Sequence, residues 1–137
     1  MRTKADLKLA RAWRAVQCNW WAYDSLTDAC EKRPRRAWRI LGVLAQVADT
    51  RMLVRDLGCG PLEDFVRMHA PRYIRQIEER ALSDSRFARA LKHMWLPNAD
   101  DGVSRRLLAL GCKPIPTKPE PWQTRTPVRP RSSKTRR

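Results

Sequence analysis

One stretch decides the fold class of this chain: Pro34-Arg35-Arg36-Ala37-Trp38-Arg39-Ile40-Leu41-Gly42-Val43-Leu44-Ala45-Gln46-Val47-Ala48. Its apolar side chains recur at spacings of three and four residues, as on one side of a helix: Trp38, Leu41, Leu44, Ala45 and Ala48. Pro34 suits the first turn of a helix, where no backbone N–H donor is needed. The stretch therefore predicts an amphipathic helix whose apolar side faces a core.

The same helical spacing extends in both directions. Caps and prolines predict further helix starts, at Asn19, Asp49–Thr50, Pro61, Pro71 and Ser83 or Asp84. Apolar residues at helical spacing predict inward faces: Leu9, Trp13 and Val16 in the first helix, and Phe87, Leu91, Met94 and Trp95 in the last helix of the body.

Strand-like alternation is almost absent, so we predict an all-α fold. The helices, about six in number, would form a compact bundle or a short solenoid-like stack, followed by an extended basic C-terminal tail. The predicted division is a helical domain over 1–97, a turn and short helix over 98–112, and a Pro/Arg-rich tail over 113–137.

The segment Gly58-Cys59-Gly60-Pro61-Leu62-Glu63-Asp64 has two closely spaced glycines but does not predict a phosphate loop. A phosphate loop needs a preceding strand, longer glycine spacing and a Lys followed by Ser or Thr. A structural explanation is sufficient. We expect Gly58 to end a helix in the left-handed conformation, Gly60 to form a sharp turn, and Pro61 to begin the next helix.

This segment also carries a family resemblance. The block Leu57 to Asp64, followed by His69, Ile77-Glu78 and Phe87 to Trp95, resembles an uncharacterised bacterial domain family with an L-G-x-G-P-L-E-D block between helices. The likeness covers roughly residues 10–96 and leaves the basic tail outside. It implies an all-helical domain of bacterial or mobile-element origin. No activity is established for the family, so it assigns no functional residue.

Charge limits the class of partner. The net charge of the 137 residues is +15, of which residues 113–137 carry +7 and the preceding residues +8. Such charge attracts polyanions, namely nucleic acid, an anionic membrane or an acidic protein face. A membrane is the least favoured, because no apolar run approaches the roughly 18 residues needed to span a bilayer. The first residues lead into an amphipathic segment rather than an apolar signal region, so we expect a soluble cytoplasmic protein.

Five basic residues surround the start of the helix at 34–48: Lys32, Arg33, Arg35, Arg36 and Arg39. Positive charge at a helix N-terminus opposes the helix dipole and costs stability unless an anion is nearby. This arrangement favours a binding surface for an acidic partner, although a solvated helix start is the alternative. Arginines on later helix faces would extend the surface: Arg67, Arg72, Arg75, Arg80, Arg86 and Arg89.

The tail is the second basic region. It holds six of the ten prolines, which disfavour helix and sheet. Trp122 could stack on a base or fill a protein pocket. Six tail residues suit phosphate contacts: Arg125, Arg129, Arg131, Lys134, Arg136 and Arg137. The alternative is an extension that stays solvated.

The residues that could support catalysis do not form a recognisable set. Glu63 and Asp64 are adjacent, so their side chains diverge by about 100 degrees on a helix. His69 lies on the apolar face of its helix, which favours a hydrogen-bonded structural histidine. The four cysteines lack the close pairing of a zinc site. We therefore expect no catalytic residues, no metal and no cofactor.

Two functions remain. The first is a non-catalytic protein that binds nucleic acid or a nucleoprotein complex through a basic face and the Arg/Pro-rich tail. The second is a protein inhibitor, of an immunity or anti-defence type, that binds an acidic protein or occupies the nucleic-acid groove of a nuclease. The sequence does not distinguish DNA from RNA or from a protein partner, and it does not set the oligomeric state.

Overall fold

The computed structural model describes residues 2–15, 20–96 and 101–115. Over these residues the chain forms seven helices and two short strands: α1 Lys4–Ala15, α2 Trp20–Lys32, α3 Pro34–Val47, α4 Arg51–Cys59, α5 Pro61–Ser83, α6 Ser85–Leu91, β1 Trp95–Leu96, α7 Gly102–Ala109 and β2 Lys113–Pro114. The predicted all-α class is confirmed.

Helix α3 is the centre of the fold. Its predicted apolar side is buried at Leu41, Leu44 and Ala45, and Pro34 occupies its first turn. Trp38 is half-buried, with its ring centroid 5.6 Å from that of Phe65 on α5. Helix α3 contacts α1, α2, α4, α5 and α6. Because a solenoid-like stack would restrict each helix to its neighbours along the chain, the arrangement is a bundle.

Helix α5 corrects the predicted break at Pro71. The structure has one helix of 23 residues over Pro61–Ser83, with Pro71 inside it. Proline removes one N–H to carbonyl bond, and Pro71 is exposed, so water can satisfy the freed carbonyl. Ala70 and Ile74 on either side are buried, and their contacts hold both halves of the helix on the core.

The segment after α6 corrects the predicted inward orientation of Trp95. Helix α6 ends at Leu91, and the chain continues into β1, which pairs in parallel with β2. In an extended segment successive side chains point to opposite sides. Met94 and Leu96 are accordingly buried, whereas Trp95 is 41% exposed.

Helix α7 packs against α5, and Leu107 and Cys112 belong to the same buried cluster as the earlier helices. The division of the chain at residues 97 and 112 stays a prediction. No helix among the described residues has the length and apolar character needed to cross a bilayer.

Gly58 corrects a further expectation. It lies inside α4 and does not end the helix in a left-handed conformation. A Cβ atom at this position would lie 2.0 Å from the carbonyl oxygen of Ala90 on α6. The absence of a side chain therefore permits the close crossing of α4 and α6. Gly60 forms the expected turn, and Pro61 is the first residue of α5.

We predict that Gly58→Ala lowers the free energy of unfolding by about 1–3 kcal/mol, because the added methyl group forces two helix backbones apart. Gly102→Ala is the matched control, since a Cβ atom there meets nothing within 4 Å. It should leave stability unchanged or raise it by up to about 1 kcal/mol. Urea denaturation measures both changes, and a Gly58→Ala variant as stable as the parent chain would contradict the close-crossing interpretation.

Candidate nucleic-acid interface

The structure divides the five basic residues around the start of α3 into separate groups. Arg33 and Arg35 are exposed. Lys32 is also exposed, but its ammonium lies 2.8 Å from a carboxylate oxygen of Asp28, one turn earlier on α2. The two remaining arginines turn toward α1. The five residues therefore do not form one continuous patch of free charge.

Arg36 and Arg39 face the carboxylate of Asp6, whose side chain is completely buried. The Nε atom of Arg39 donates a hydrogen bond of 2.6 Å to Asp6 Oδ2. The Nε atom of Arg36 lies 3.9 Å from Asp6 Oδ1, within ion-pair distance. About a third of each arginine side chain stays exposed. These contacts fasten α1 to α3.

The Asp6 carboxylate also caps α1. The backbone N–H of Thr3 donates to Asp6 Oδ2 at 2.9 Å, and the backbone N–H of Asp6 donates to Thr3 Oγ1 at 3.1 Å. This reciprocal pair satisfies two N–H groups that the first turn of a helix leaves without partners. One buried carboxylate thus starts one helix and holds a second.

The Asp6 carboxylate is ionised at neutral pH. Burial opposes ionisation, but the hydrogen bond from Arg39, the hydrogen bonds from Thr3 and the positive charge of Arg39 outweigh it and lower the pKa of Asp6 below its ordinary value of 3.8. The anion that the basic start of α3 requires is thus supplied by the chain itself.

A second basic surface lies where α4 and α6 cross. A groove of about 910 Å³ runs between them, and we call it the α4–α6 groove. Six of its lining residues are cationic: Arg51, Arg55, Arg86, Arg89, Lys92 and Lys113. His93 also lines it. The groove gathers cations from three elements that are far apart in the sequence.

Helical spacing explains the position of these cations. Arg51 and Arg55 are four residues apart on α4, and Arg86 and Arg89 are three apart on α6. Residues at these spacings lie on one side of a helix, so each pair faces the groove. Arg86 is further held by a hydrogen bond of 2.5 Å from Nη1 to the backbone carbonyl of Gln46.

The acidic side chain of the groove lining is already engaged. Among the described residues that line the groove, the single carboxylate is Asp49. Arg14 donates to both of its oxygens, at 3.0 and 2.8 Å. The hydrogen bond and charge of Arg14 lower the pKa of Asp49 and keep it ionised. Arg55 also lies 3.5 Å from Asp56, but the remaining groove cations still exceed the acidic charge that faces them, which suits a polyanionic ligand.

The tail joins this surface at its first residue. Lys113 lines the groove and forms part of β2. The other predicted tail contacts lie outside the described residues: Trp122, Arg125, Arg129, Arg131, Lys134, Arg136 and Arg137. Their roles stay predictions.

Three residues that could support catalysis have structural partners: His69, Glu63 and Glu78. His69 is half-buried, and its Nε2 lies 2.5 Å from the backbone oxygen of Cys30. Arg67 lies 2.6 Å from Glu63, and Arg106 bonds Glu78. Within 2–15, 20–96 and 101–115 no group of three or more His, Cys, Asp or Glu could hold a metal ion.

Of the three described cysteines, two are buried and one is exposed. Burial is the main cause that raises the pKa of Cys30 to about 12 and that of Cys112 to about 11. Both thiols therefore stay protonated at neutral pH. Cys59 is exposed, and Cys18 lies outside the described residues.

The α4–α6 groove lies within a region that a family model recognises. A family of unknown function, DUF6869, matches residues 11–114. The chain belongs to this family. No curated protein and no solved structure matches the chain.

The DUF6869 match confirms the predicted membership in an uncharacterised family. It extends beyond residue 96, where the predicted likeness ended, and includes α7 and β2. All of the cations that line the α4–α6 groove lie within the matched region, whereas residues 115–137 lie beyond it. The groove is thus part of the DUF6869 domain.

We predict that the same change, arginine to glutamine, affects the stability of this DUF6869 protein differently at two positions of α3. Arg39→Gln should lower the free energy of unfolding by about 3 kcal/mol, because it leaves the buried Asp6 carboxylate without its main cation. Arg35→Gln is the matched control and should have little effect, because Arg35 is exposed. Urea denaturation at neutral pH measures both.

Acid titration supplies an independent check. Because its folded-state pKa is lowered, ionised Asp6 stabilises the fold above its ordinary pKa of 3.8, and this contribution is lost as pH falls through the folded-state value. Asp6→Asn should therefore be less stable than the parent at neutral pH. The difference in the free energy of unfolding should shrink as the pH falls below 3.8. A difference that stays constant through the acid range would contradict the assignment.

Proposed function

We propose that the protein is a non-catalytic nucleic-acid-binding protein whose α4–α6 groove, extended by the basic tail, contacts the phosphate backbone. The observation that supports the proposal is the set of six cations that converge on one groove, where Asp49, the one carboxylate among the described lining residues, is already paired. Arginine suits this role because its planar group can bond two phosphate oxygens at once.

The charge around α3 supports the groove as the principal contact. Arg36 and Arg39 form ion pairs with Asp6, and Lys32 forms one with Asp28. Arg33 and Arg35 remain as an exposed secondary contact. Backbone contacts of this kind carry no base sequence information, so binding should be non-specific and strongly dependent on salt.

We predict that Arg51→Gln/Arg55→Gln weakens binding to a nucleic acid of about 20 nucleotides by about 10- to 100-fold at 0.1 M salt. Each phosphate contact contributes about −0.9 to the slope of log K against log salt on a duplex and about −0.7 on a single strand, so the loss of two should flatten the slope by about 1.8 and about 1.4, respectively. Fluorescence anisotropy across a salt series measures both quantities, with parallel titrations of a single strand and of a duplex.

Matched double variants remove the same charge elsewhere. Arg72→Gln/Arg75→Gln on α5 lies outside the groove lining and should change binding little. Arg33→Gln/Arg35→Gln tests the start of α3, and Arg129→Gln/Arg131→Gln tests the tail. Equal losses from all four variants would show a response to net charge alone and would contradict a groove site.

Poly-glutamate tests an acidic protein as the partner, because it supplies negative charge without phosphates or bases. It should compete with nucleic acid only weakly. Absence of binding to either nucleic acid at low salt, together with tight binding of poly-glutamate, would overturn the proposal in favour of an acidic protein.

A further inference from the structure

An exposed aromatic ring lies near one of the cations that line the α4–α6 groove. Trp95 is 41% exposed, although Met94 and Leu96 on either side of it are buried. Lys113 connects the ring with the groove: it lines the groove, and its Nζ lies 5.7 Å from the centroid of the Trp95 ring. A cation of the basic groove and an indole ring thus lie together.

The Trp95 backbone is held firmly. The N–H of Lys113 donates to the carbonyl of Met94 at 2.8 Å, and the N–H of Ile115 donates to that of Leu96 at 2.9 Å. The N–H of Trp95 lies 3.5 Å from a carboxylate oxygen of Glu63 on α5. The buried neighbours and these bonds fix the backbone from which the ring projects, so little conformational entropy is lost if a ligand stacks on it.

The groove also presents apolar surface between its cations. Met52 lines it and is 56% exposed, and in the sequence of α4 it falls between Arg51 and Arg55. A ligand that matches this lining must carry regularly spaced negative charge and also apolar faces. Unpaired nucleotides have both, because the phosphates are charged and the bases have open faces.

We infer that the preferred ligand of the α4–α6 groove is single-stranded nucleic acid, with Trp95 as a stacking platform for one base beside the cations that hold the backbone. This inference rests on the proposed function. A combination of basic groove and exposed aromatic ring is typical of single-strand binding. In a duplex the base faces are covered by neighbouring bases, so a duplex gains only the charge contribution.

The test compares two tryptophans of similar exposure. Trp95→Ala in the full chain should weaken binding of a mixed-sequence single strand of about 20 nucleotides by about 5- to 100-fold. Binding of the matching duplex should change less than about twofold, because its bases do not reach the ring. Trp95→Phe should retain most of the single-strand affinity, since it keeps an aromatic face.

Trp21→Ala on α2 is the control, because Trp21 is 44% exposed and does not line the groove. It should change neither affinity. Thermal denaturation of each variant, with the parent chain as reference, identifies any loss that follows from unfolding, and Trp95→Phe then reports on the ring in a folded chain.

The outcomes separate this inference from the proposed function. If Arg51→Gln/Arg55→Gln weakens binding but Trp95→Ala does not, the groove stands and the stacking platform is overturned. If Trp95→Ala weakens the binding of single strand and duplex equally, the stacking platform is also overturned. Tighter binding of the duplex than of the single strand by the parent chain overturns it as well. If no nucleic acid binds at low salt, the proposed function fails and the inference fails with it.

Discussion

One buried carboxylate, that of Asp6, holds two arginines of α3 in contacts within the fold. The side chain of Asp6 has no solvent exposure, and burying an unpaired carboxylate costs several kcal/mol. Arg39 and Arg36 reach it from α3, and the backbone N–H of Thr3 donates a further hydrogen bond to Oδ2 at the start of α1. The first helix is thereby fixed on the central helix by an ion pair as well as by apolar contact through residues such as Trp13.

The second constraint is the close crossing of α4 and α6. Because Gly58 has no side chain, the backbone of α4 approaches that of α6 at Ala90. The crossing brings the arginines of both helices to one groove, and the β1–β2 pair adds Lys113 and the exposed ring of Trp95 beside it. Two kinds of arginine result: Arg36 and Arg39 on α3 stabilise the fold, and those on α4 and α6 line the groove.

The sequence predicted the features that depend on local spacing. The apolar side of α3 and the proline at its first turn follow from side chains that are near one another in the chain, as does the cap predicted at Ser83 or Asp84, which the structure places at Asp84. The predicted start of a new helix at Pro71 was wrong, because core contacts on both sides of this residue keep α5 continuous. The prediction of a left-handed conformation at Gly58 was wrong, because the role of this glycine depends on Ala90, which is 32 residues away. Residues at these separations interact only through the tertiary fold.

The candidate site shows the same limit. The sequence identified Arg86 and Arg89 as exposed basic residues but gave no reason to join them with Arg51 and Arg55. The Thr3-x-x-Asp6 spacing is typical of a helix cap, yet it does not predict that the same carboxylate binds Arg39. The groove and the ion pair could both be recognised only after the helices had been placed.

The division between structural and ligand-binding arginines can be tested by one NMR measurement. Arginine Nε–Hε signals would be followed while a single-stranded oligonucleotide is added to the full chain at low salt. The signals of Arg51, Arg55, Arg86 and Arg89 should shift, whereas that of Arg39, which bonds Asp6, should stay in place. A shift of the Arg39 signal, with the four groove signals unchanged, would contradict the account.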